Sequence, residues 1–335
     1  MERVTVSSIG VGVVGFWHVH ANDYARDADR HPSTRVVAGW DRDPDIAREG
    51  AAALGIALED SLDALLARPD VDAVTITTAT ADHTDVIRRS LQAGKHVFSE
   101  KLLAPTVAEC EQLVAEAAER GLALVVSLPR LSEPSIVTAR RLIDEGALGT
   151  VTYARVRMAH DGWLAGWLPE RFADPVDAIG GAFADLGCHP AYLVQHFLGA
   201  VPQTVSATYG SFSGRAVEDN AVVVSGYDGG ALGVAEASFV TTPGAFAFEL
   251  RGTEGTLLFG LGREELIAKG GRFGDAWAAQ ELDPAAPAPF ALWVDAIEGR
   301  ADSAANVAAA VDLTRLVAAA NASASDHRAV AADVA

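Results

Sequence analysis

The stretch V-T-V-S-S-I-G-V-G-V-V-G, residues 4–15, decides how this chain is read. Residues 4–9 alternate and end at glycine, the pattern of a buried strand. Gly10, Gly12 and Gly15 then follow in the spacing G-x-G-x-x-G, and residues 16–30 carry a helical pattern. Strand, glycine turn and helix together form the context in which this spacing binds a dinucleotide. On that reading Gly10 permits the tight turn, Gly12 lets the backbone approach a pyrophosphate, and Gly15 permits close helix packing. Val13 and Val14 belong to the same cofactor-facing turn. The helix N-terminus offers its N–H groups to the phosphates.

The apolar run V-V-A-G-W at 36–40 ends at Asp41. A carboxylate there can hold both ribose hydroxyls of adenosine and repel a 2′-phosphate, which favours NAD. Arg42 beside it leaves NADP open. Asp41 also fits as the N-cap of a turn into Pro44.

Strand and helix patterns go on alternating. Residues 44–54 and 106–119 read as helices; 72–78, 96–98 and 122–127 read as strands; Asp82 or Thr84 suits the start of a helix running to Ala93. That alternation predicts a parallel, doubly wound sheet. After Pro129 the texture changes. A helix near 135–145 precedes an alternating strand at 150–158 and a helix over 182–197; several strands joined by glycine turns follow between Thr204 and Ile267. Short strands with tight turns imply an antiparallel sheet. Two helices near 290–299 and 304–321 close the chain, and the tail after Ser323 is expected to fray. The expected fold is α/β: a Rossmann domain over 1–128, then an α+β domain over 129–335 that binds substrate and mediates oligomerisation.

The bulk properties agree. The chain has 335 residues, half of them apolar and 21% charged. A net charge of −19 repels phosphate backbones, so nucleic acid is not an expected partner. No uninterrupted apolar run approaches membrane-spanning length and no leader is read, which predicts a cytoplasmic protein. Cys110 and Cys188 stand far apart, without disulfide or zinc spacing, so no metal is expected.

Three further groups carry chemistry. Lys101 follows Glu100 just beyond the strand at 96–98, where ligands of such sheets bind. A lysine there can hold a substrate oxygen and stabilise developing alkoxide charge; it also reads as a surface lysine paired with Glu100. Asp185 and His189 lie four apart and share a helix face. The carboxylate can orient an imidazole that exchanges a proton with a hydroxyl near neutral pH; the alternative is an ion pair on a surface helix. Among the remaining histidines, His18 and His20 follow the glycine turn and suit packing or a hydrogen bond to the loop. Thr78 and His83 suit the nicotinamide side of the cleft. His196 shares the face of Asp185 and His189 and suits the same cleft. Arg130, His160, Trp163, Trp167 and Tyr192 are placed to touch substrate, the tryptophans by stacking on a ring.

Together these residues resemble the Gfo/Idh/MocA family of NAD(P)-dependent oxidoreductases, across nearly the whole chain. I-G-V-G-V-V-G-F-W-H resembles the family's first strand and turn. A-T-A-D-H and A-G-K-H-V-F-S-E-K resemble its T-P-x-x-x-H and A-G-K-H-V-x-x-E-K-P segments. I-D-E-G-A-L-G-T-V at 143–151 and G-G-A-F-A-D-L-G-C-H at 180–189 resemble its crossing helix and its D-x-G-x-H segment. E-D-N at 218–220 and R-G-T-E-G-T-L at 251–257 resemble its sheet signatures. The resemblance implies that Lys101, Asp185 and His189 form the catalytic set, with a sugar, polyol or related cyclic alcohol as substrate. It further implies an open-faced sheet that packs on another subunit, giving a homodimer or homotetramer. It leaves room for an NAD-dependent glycosidase or a non-catalytic dinucleotide-binding regulator. Three positions depart from the pattern: Leu102 replaces the proline after Glu-Lys, Ala79 replaces the proline after Thr78, and Tyr192 replaces the acid three after the histidine.

Overall fold

The computed structural model describes residues 8–199 and 201–332. Residues 4–7 of the first expected strand lie outside them. The chain divides into two compact units, residues up to Ser127 with Pro287–Val311, and Leu128–Ala286 with Asp312 onward. The division is discontinuous, unlike the single break expected at 128/129. The reason lies in helix Pro289–Ile297: its Phe290, Trp293 and Val294 are buried with Val11, Phe98 and Val125 in the core of the first unit. Complete burial of a side chain the size of Trp293 contributes about 1.5–3 kcal/mol, enough to fix where the helix docks.

The first unit holds a six-stranded sheet: β1 (Ile9–Val14), β2 (Thr34–Trp40), β3 (Ala57–Leu58), β4 (Ala73–Ile76), β5 (His96–Ser99) and β6 (Leu124–Val126). Its order is β3-β2-β1-β4-β5-β6 and every pair is parallel. The order reverses beside β1, the switch point at whose carboxyl side such sheets bind ligands. The helices start where the chemistry allows. Asp43 caps Pro44–Leu54 through the N–H groups of Asp45 and Ile46, and Gly55 ends it in the left-handed region. Thr106 and Glu109 form a capping box for Val107–Arg120.

One expectation shifts by several residues. Gly10 and Gly12 are not in the turn; they lie inside β1 with Val13 and Val14, which are wholly buried. A Cβ at Gly10 would fall 1.9 Å from the Asp70 carbonyl oxygen, so this glycine serves close packing of β1 on its neighbouring loop. The chain turns at Gly15, at φ +88, and the first helix runs only from Ala21 to Arg30. Residues 16–20 are loop. A row of small and β-branched residues broken by glycine fits strand or turn equally by pattern; burial on both faces decides for strand.

The second unit holds nine further strands: β7 (Val151–Ala159), β8 (Thr204–Gly210), β9 (Asn220–Gly226), β10 (Leu232–Ser238), β11 (Ala245–Gly252), β12 (Thr256–Phe259), β13 (Ile267–Lys269), β14 (Ala278–Ala279) and β15 (Val330–Ala331). The sheet order is β14-β13-β12-β11-β7-β10-β9-β8-β15. It is mostly antiparallel, but β7 and β10 pair in parallel. The tail is ordered further than expected. Helix Ala304–Asp326 outlasts Ser323, whose hydroxyl accepts from Ala207 N–H, and β15 pairs with β8. That helix is also long and apolar enough to cross a membrane by composition, though half of the qualifying stretch is buried within the protein.

The expected helix over 182–197 is two helices, Ala182–Asp185 and Cys188–Leu198, interrupted at Leu186-Gly187. The second lies on β7 and β10. A Cβ at Gly233 would fall 2.4 Å from Val194, so the helix sits as close to the sheet as it does because β10 has glycine there. The opposite sheet face carries exposed Val222, Val224 and Leu232 beside the Arg155–Glu236 ion pair.

Candidate active site

In the first unit the loop after β1 is braced from all sides. Gly15 N–H donates to the Trp40 carbonyl, Thr77 Oγ donates to the Gly15 carbonyl, and His18 N–H donates to the Thr77 carbonyl. A Cβ on Gly15 would fall 2.5 Å from the Thr78 nitrogen. Asp41 is buried, and its two oxygens accept from Phe16 N–H at 2.5 Å and Asp43 N–H at 2.8 Å. Burial raises its pKa, and those two N–H groups oppose the rise. It therefore ties the loop to the end of β2. Arg42 pairs with Asp82 at 2.8 Å.

His83 does not line a cleft. It is wholly buried, with Nδ1 2.7 Å from the Leu102 carbonyl and Nε2 3.3 Å from the Thr78 carbonyl. Burial lowers its pKa, and the neutral ring, with a single N–H, donates to one of these carbonyls, the nearer being Leu102. Thr78 is buried beside it. The Lys101–Leu102 peptide that follows is cis.

The charged centre of the unit is Glu100 with Lys101, both nearly inaccessible. Lys101 Nζ lies 2.8 Å from Glu100 Oε1 and 3.3 Å from His18 Nε2. Glu100 Oε2 accepts the Tyr24 hydroxyl and lies 3.4 Å from His20 Nδ1. Burial works against ionising Glu100, but Lys101, His18 and His20 outweigh it and hold the carboxyl well below the usual range. The same burial and the Glu100 charge push the Tyr24 phenol well up, so Tyr24 stays a donor. His18, His20 and Glu100 bring one donor atom each within 4.8 Å of one another. Sequence reading gave His18 and His20 to packing or a hydrogen bond to the loop and overlooked Tyr24. Partners from residues 18, 20, 24 and 100 carry no spacing to recognise; the only signal was three ionisable side chains directly after a glycine turn.

In the second unit His189 is buried, and its Nδ1 lies 2.9 Å from the Tyr192 hydroxyl. Tyr192 Oη also accepts Arg130 N–H at 3.1 Å. Burial pushes the Tyr192 phenol well above its ordinary value. Asp185 ends the short helix before His189, and its carboxylate favours the charged form of His160 against the desolvation that lowers that ring's pKa. His160 stacks on Phe239 at 4.9 Å and lies 4.7 Å from the exposed Trp167. Trp163 is buried under the Arg215 guanidinium, 4.6 Å from its centre. The Arg130 guanidinium lies over Phe246 and pairs with Glu133.

His196 lies two turns on from His189 in the helix Cys188–Leu198. Arg140 Nη1 donates to its carbonyl, and burial, with the Arg140 charge, lowers its pKa to about 4. The break at Leu186-Gly187 changes the helix phase between Asp185 and the residues of Cys188–Leu198, among which His189, Tyr192 and His196 keep a common face. Sequence reading also missed how the segment before Asp185 is held. Glu218 accepts N–H bonds from Gly181 and Phe183, and Asp219 accepts from Phe212 and Ser213. Glu218 therefore fixes the segment that carries Ile179, at φ +55, into the short helix, and Asp219 fixes the turn at Phe212-Ser213.

Residues 9–128 match the model described as an oxidoreductase family with an NAD-binding Rossmann fold, and residues 136–258 match the GFO/IDH/MocA C-terminal domain. A dTDP-3,4-didehydro-2,6-dideoxy-alpha-D-glucose 3-reductase of Streptomyces violaceoruber is 33% identical over 200 residues, 58% of this chain and 56% of that one. An inositol 2-dehydrogenase of Rhizobium meliloti (strain 1021) is 32% identical over 217 residues, 63% of this chain and 60% of that one. The chain thus spans less than two thirds of either relative's length. The solved structure of GenD2 from gentamicin A biosynthesis, in complex with NAD, is 28% identical with a TM-score of 0.82, covering 99% of this chain and 98% of the other. With both halves matched in order, the chain belongs to the Gfo/Idh/MocA family of oxidoreductases, and its first unit is an NAD-binding Rossmann domain.

Proposed function

We propose that the protein is an NAD-dependent dehydrogenase or reductase moving a hydride between nicotinamide and a carbinol or carbonyl carbon of a sugar, polyol or related cyclic alcohol. The observation that carries this is the buried Glu100–Lys101 pair just after a central parallel strand of an NAD-binding domain. A buried ion pair is costly and a poor device for stability alone, so a role in chemistry is the better account of it. The relatives' names, a reductase of a sugar nucleotide and an inositol dehydrogenase, support the substrate class.

The residues divide the work. The cofactor, when bound, supplies hydride exchange at its nicotinamide ring. The backbone of Gly15–His20, rather than Gly10 to Gly15, faces its phosphates. Asp41, at the end of β2, disfavours a 2′-phosphate and so favours NAD over NADP. His83 and Thr78 hold the ends of β4 and β5 in place. Lys101 steadies the substrate oxygen as charge develops on it. His189 exchanges the hydroxyl proton, with Asp185 favouring its charged form. His160, Trp163, Trp167, Arg130 and Tyr192 shape the substrate side. The first unit serves the cofactor and the second serves substrate and self-association. The exposed Val222, Val224 and Leu232 support a homodimer or homotetramer through the sheet face, and a cytoplasmic setting matches the cofactor.

The test is a screen of inositols, aldoses, ketoses and glycosides with NAD and NADP separately, read by absorbance of the reduced nicotinamide. Net NADH formation is expected. Replacement of His189 by Ala should cost on the order of 10²–10⁴-fold in rate while NADH binding persists. Near wild-type turnover in folded Lys101→Ala and His189→Ala would defeat this mechanism.

A further inference from the structure

The helix that presents Asp185 is too short to hold itself in place. Ala182–Asp185 is four residues long, well below the length at which a helix stands by its own hydrogen bonds. Its N-cap, Gly181, brings no side chain, so the cap comes from elsewhere in the chain. Glu218 supplies it. Glu218 Oε1 accepts Phe183 N–H at 2.9 Å, Oε2 accepts Gly181 N–H at 2.9 Å, and the Glu218 carbonyl accepts Ala182 N–H at 2.8 Å. Three successive N–H groups thus end on one residue. A Cβ at Gly181 would fall 2.2 Å from the Glu218 carbonyl oxygen, so glycine is what lets the two come this close.

The turn that follows hangs on this clamp. Asp185 N–H donates to the Gly181 carbonyl at 3.0 Å, and the N–H groups of Leu186 and Gly187 donate to the Ala182 carbonyl at 3.0 and 2.8 Å. Whatever else the Asp185 carboxylate touches, its backbone stands on residues that Glu218 holds. The clamp itself is anchored on the sheet. Asp219 is wholly buried; its N–H donates to the Gly210 carbonyl at the end of β8, and its carbonyl accepts Phe239 N–H just past β10. The His160 ring stacks on Phe239, and His160 N–H donates to the Ser238 carbonyl. Glu218 and Asp219 therefore hold the turn of Asp185 on one side and the support of His160 on the other. The link between the two is electrostatic. The Asp185 and Asp161 carboxylates favour the charged form of His160 against the burial of its ring, and such attraction falls with distance.

We propose that Glu218 is a positioning residue: by capping the turn at Gly181–Phe183 it fixes where the Asp185 carboxylate stands relative to His160, and so the field that Asp185 lends to proton exchange. The functional half of this rests on the reading in which the Asp185 charge serves that exchange; the geometric half does not. An ionised carboxylate suits the task because it only accepts hydrogen bonds. The Phe183 and Gly181 N–H groups favour its charged form against the burial that raises its pKa.

His160 reports the place of Asp185 without substrate. Its titration is followed by nuclear magnetic resonance of histidine-labelled protein, its signals being identified by their loss in His160→Gln. Asp185→Asn sets the scale: it removes the charge, so the His160 pKa should fall. Glu218→Leu strips both side-chain bonds from the turn and should lower the His160 pKa toward the Asp185→Asn value. Glu218→Gln removes the charge but keeps an acceptor at Oε1, which lies 3.0 Å from Gly181 N and 2.9 Å from Phe183 N; His160 should then titrate near its wild-type value. In Glu218→Leu/Asp185→Asn it should titrate as in Asp185→Asn alone. Should Glu218→Leu fail to fold by circular dichroism, Glu218→Asp keeps the charge, draws it back by one methylene and should also lower the His160 pKa. A titration unmoved in whichever of these two folds, one moved as far by Glu218→Gln, or one moved further in the double variant overturns the positioning. The functional arm uses NAD with myo-inositol first, then the rest of the panel. Glu218→Leu should lose on the order of 10-fold or more in kcat and Glu218→Gln no more than about 3-fold, with little change in NADH affinity, as misplacement of a catalytic group predicts. The loss should not multiply with that of Asp185→Asn, because the two act as a unit; losses that multiply refute action through Asp185. Full turnover by Asp185→Asn removes the catalytic reading instead and leaves the His160 result to stand or fall separately.

Discussion

Replacing Lys101 by Met tests the charged centre more sharply than any other single change. Glu100 is 1% exposed and Lys101 4% exposed, so water screens neither. Removing the ammonium leaves a carboxylate in a desolvated pocket. Such one-sided removal costs about 3–5 kcal/mol. Tyr24 and His20 still hold Glu100 Oε2, which places the expected loss near the lower end, about 3 kcal/mol. Alternatively the carboxyl takes up a proton, and the variant's stability then depends on pH where the wild type's does not. Glu100→Gln in the Lys101→Met background removes the stranded charge, and the double variant should recover about 2 kcal/mol of the loss. Urea unfolding by tryptophan fluorescence and by far-ultraviolet circular dichroism measures the wild type, Lys101→Met, Glu100→Gln and the double variant, and coincidence of the two transitions checks that one free energy describes each. The reasoning fails if Lys101→Met costs less than about 1 kcal/mol, or if the two substitutions simply add. Either result would mean that Glu100 is solvated or partnered well enough without the lysine.

Three other outcomes follow from the same structure. Gly15→Ala meets both a positive φ and the Thr78 backbone at 2.5 Å, so it should destabilise by about 2 kcal/mol or more and weaken NADH binding; fluorescence titration showing wild-type affinity would contradict the loop assignment. Asp41→Ser should narrow the preference for NADH over NADPH by about 1–2 kcal/mol, and tighter NADPH binding by the wild type would remove the premise. His196 has a folded pKa of about 4 against an ordinary 6.5. Below pH 6.5 the unfolded chain binds a proton that the folded chain refuses, so stability should fall by roughly 2–3 kcal/mol between pH 6.5 and 4; His196→Gln should flatten that part of the profile, and an unchanged slope would refute the assignment.

Fold was legible in the sequence wherever one period dominated. Pro44–Leu54 and Val107–Arg120 were readable because a proline or a threonine marks the start and a glycine the end. The parallel sheet followed from alternation of element types. What misled was ambiguity in small residues. Glycines inside β1 pack against neighbouring chain and look the same as glycines that turn. The break at Gly187 was hidden because the residues on both sides of it favour helix. Tertiary contacts were not legible at all. Nothing local to Pro289–Ile297 says that Trp293 belongs with Phe98. Lys101, Asp185 and His189 could be named from motifs; their partners, Glu218 for the loop before Asp185 and Tyr24 for Glu100, could not.

The departures from the family pattern are chemical rather than decorative, and Tyr192 shows why. A carboxylate at that position could only accept a hydrogen bond, which would pin the His189 hydrogen to Nδ1. A hydroxyl can do either. Tyr192 Oη already accepts Arg130 N–H, and its raised pKa keeps it protonated, so its own hydrogen is available to donate to His189 Nδ1 at 2.9 Å. In that state the neutral ring carries its hydrogen on Nε2 and acts outward as a donor. When the ring takes a second proton at Nδ1, the hydroxyl rotates and accepts it with its remaining lone pair. Tyr192 therefore supports both protonation states of His189 without a buried charge of its own. The lysine side is built the other way, around an ionised carboxylate that holds its cation fixed. Under the proposed mechanism, the group that stays charged is thus held by charge, and the group that exchanges protons is held by a hydroxyl that serves as donor or acceptor in turn.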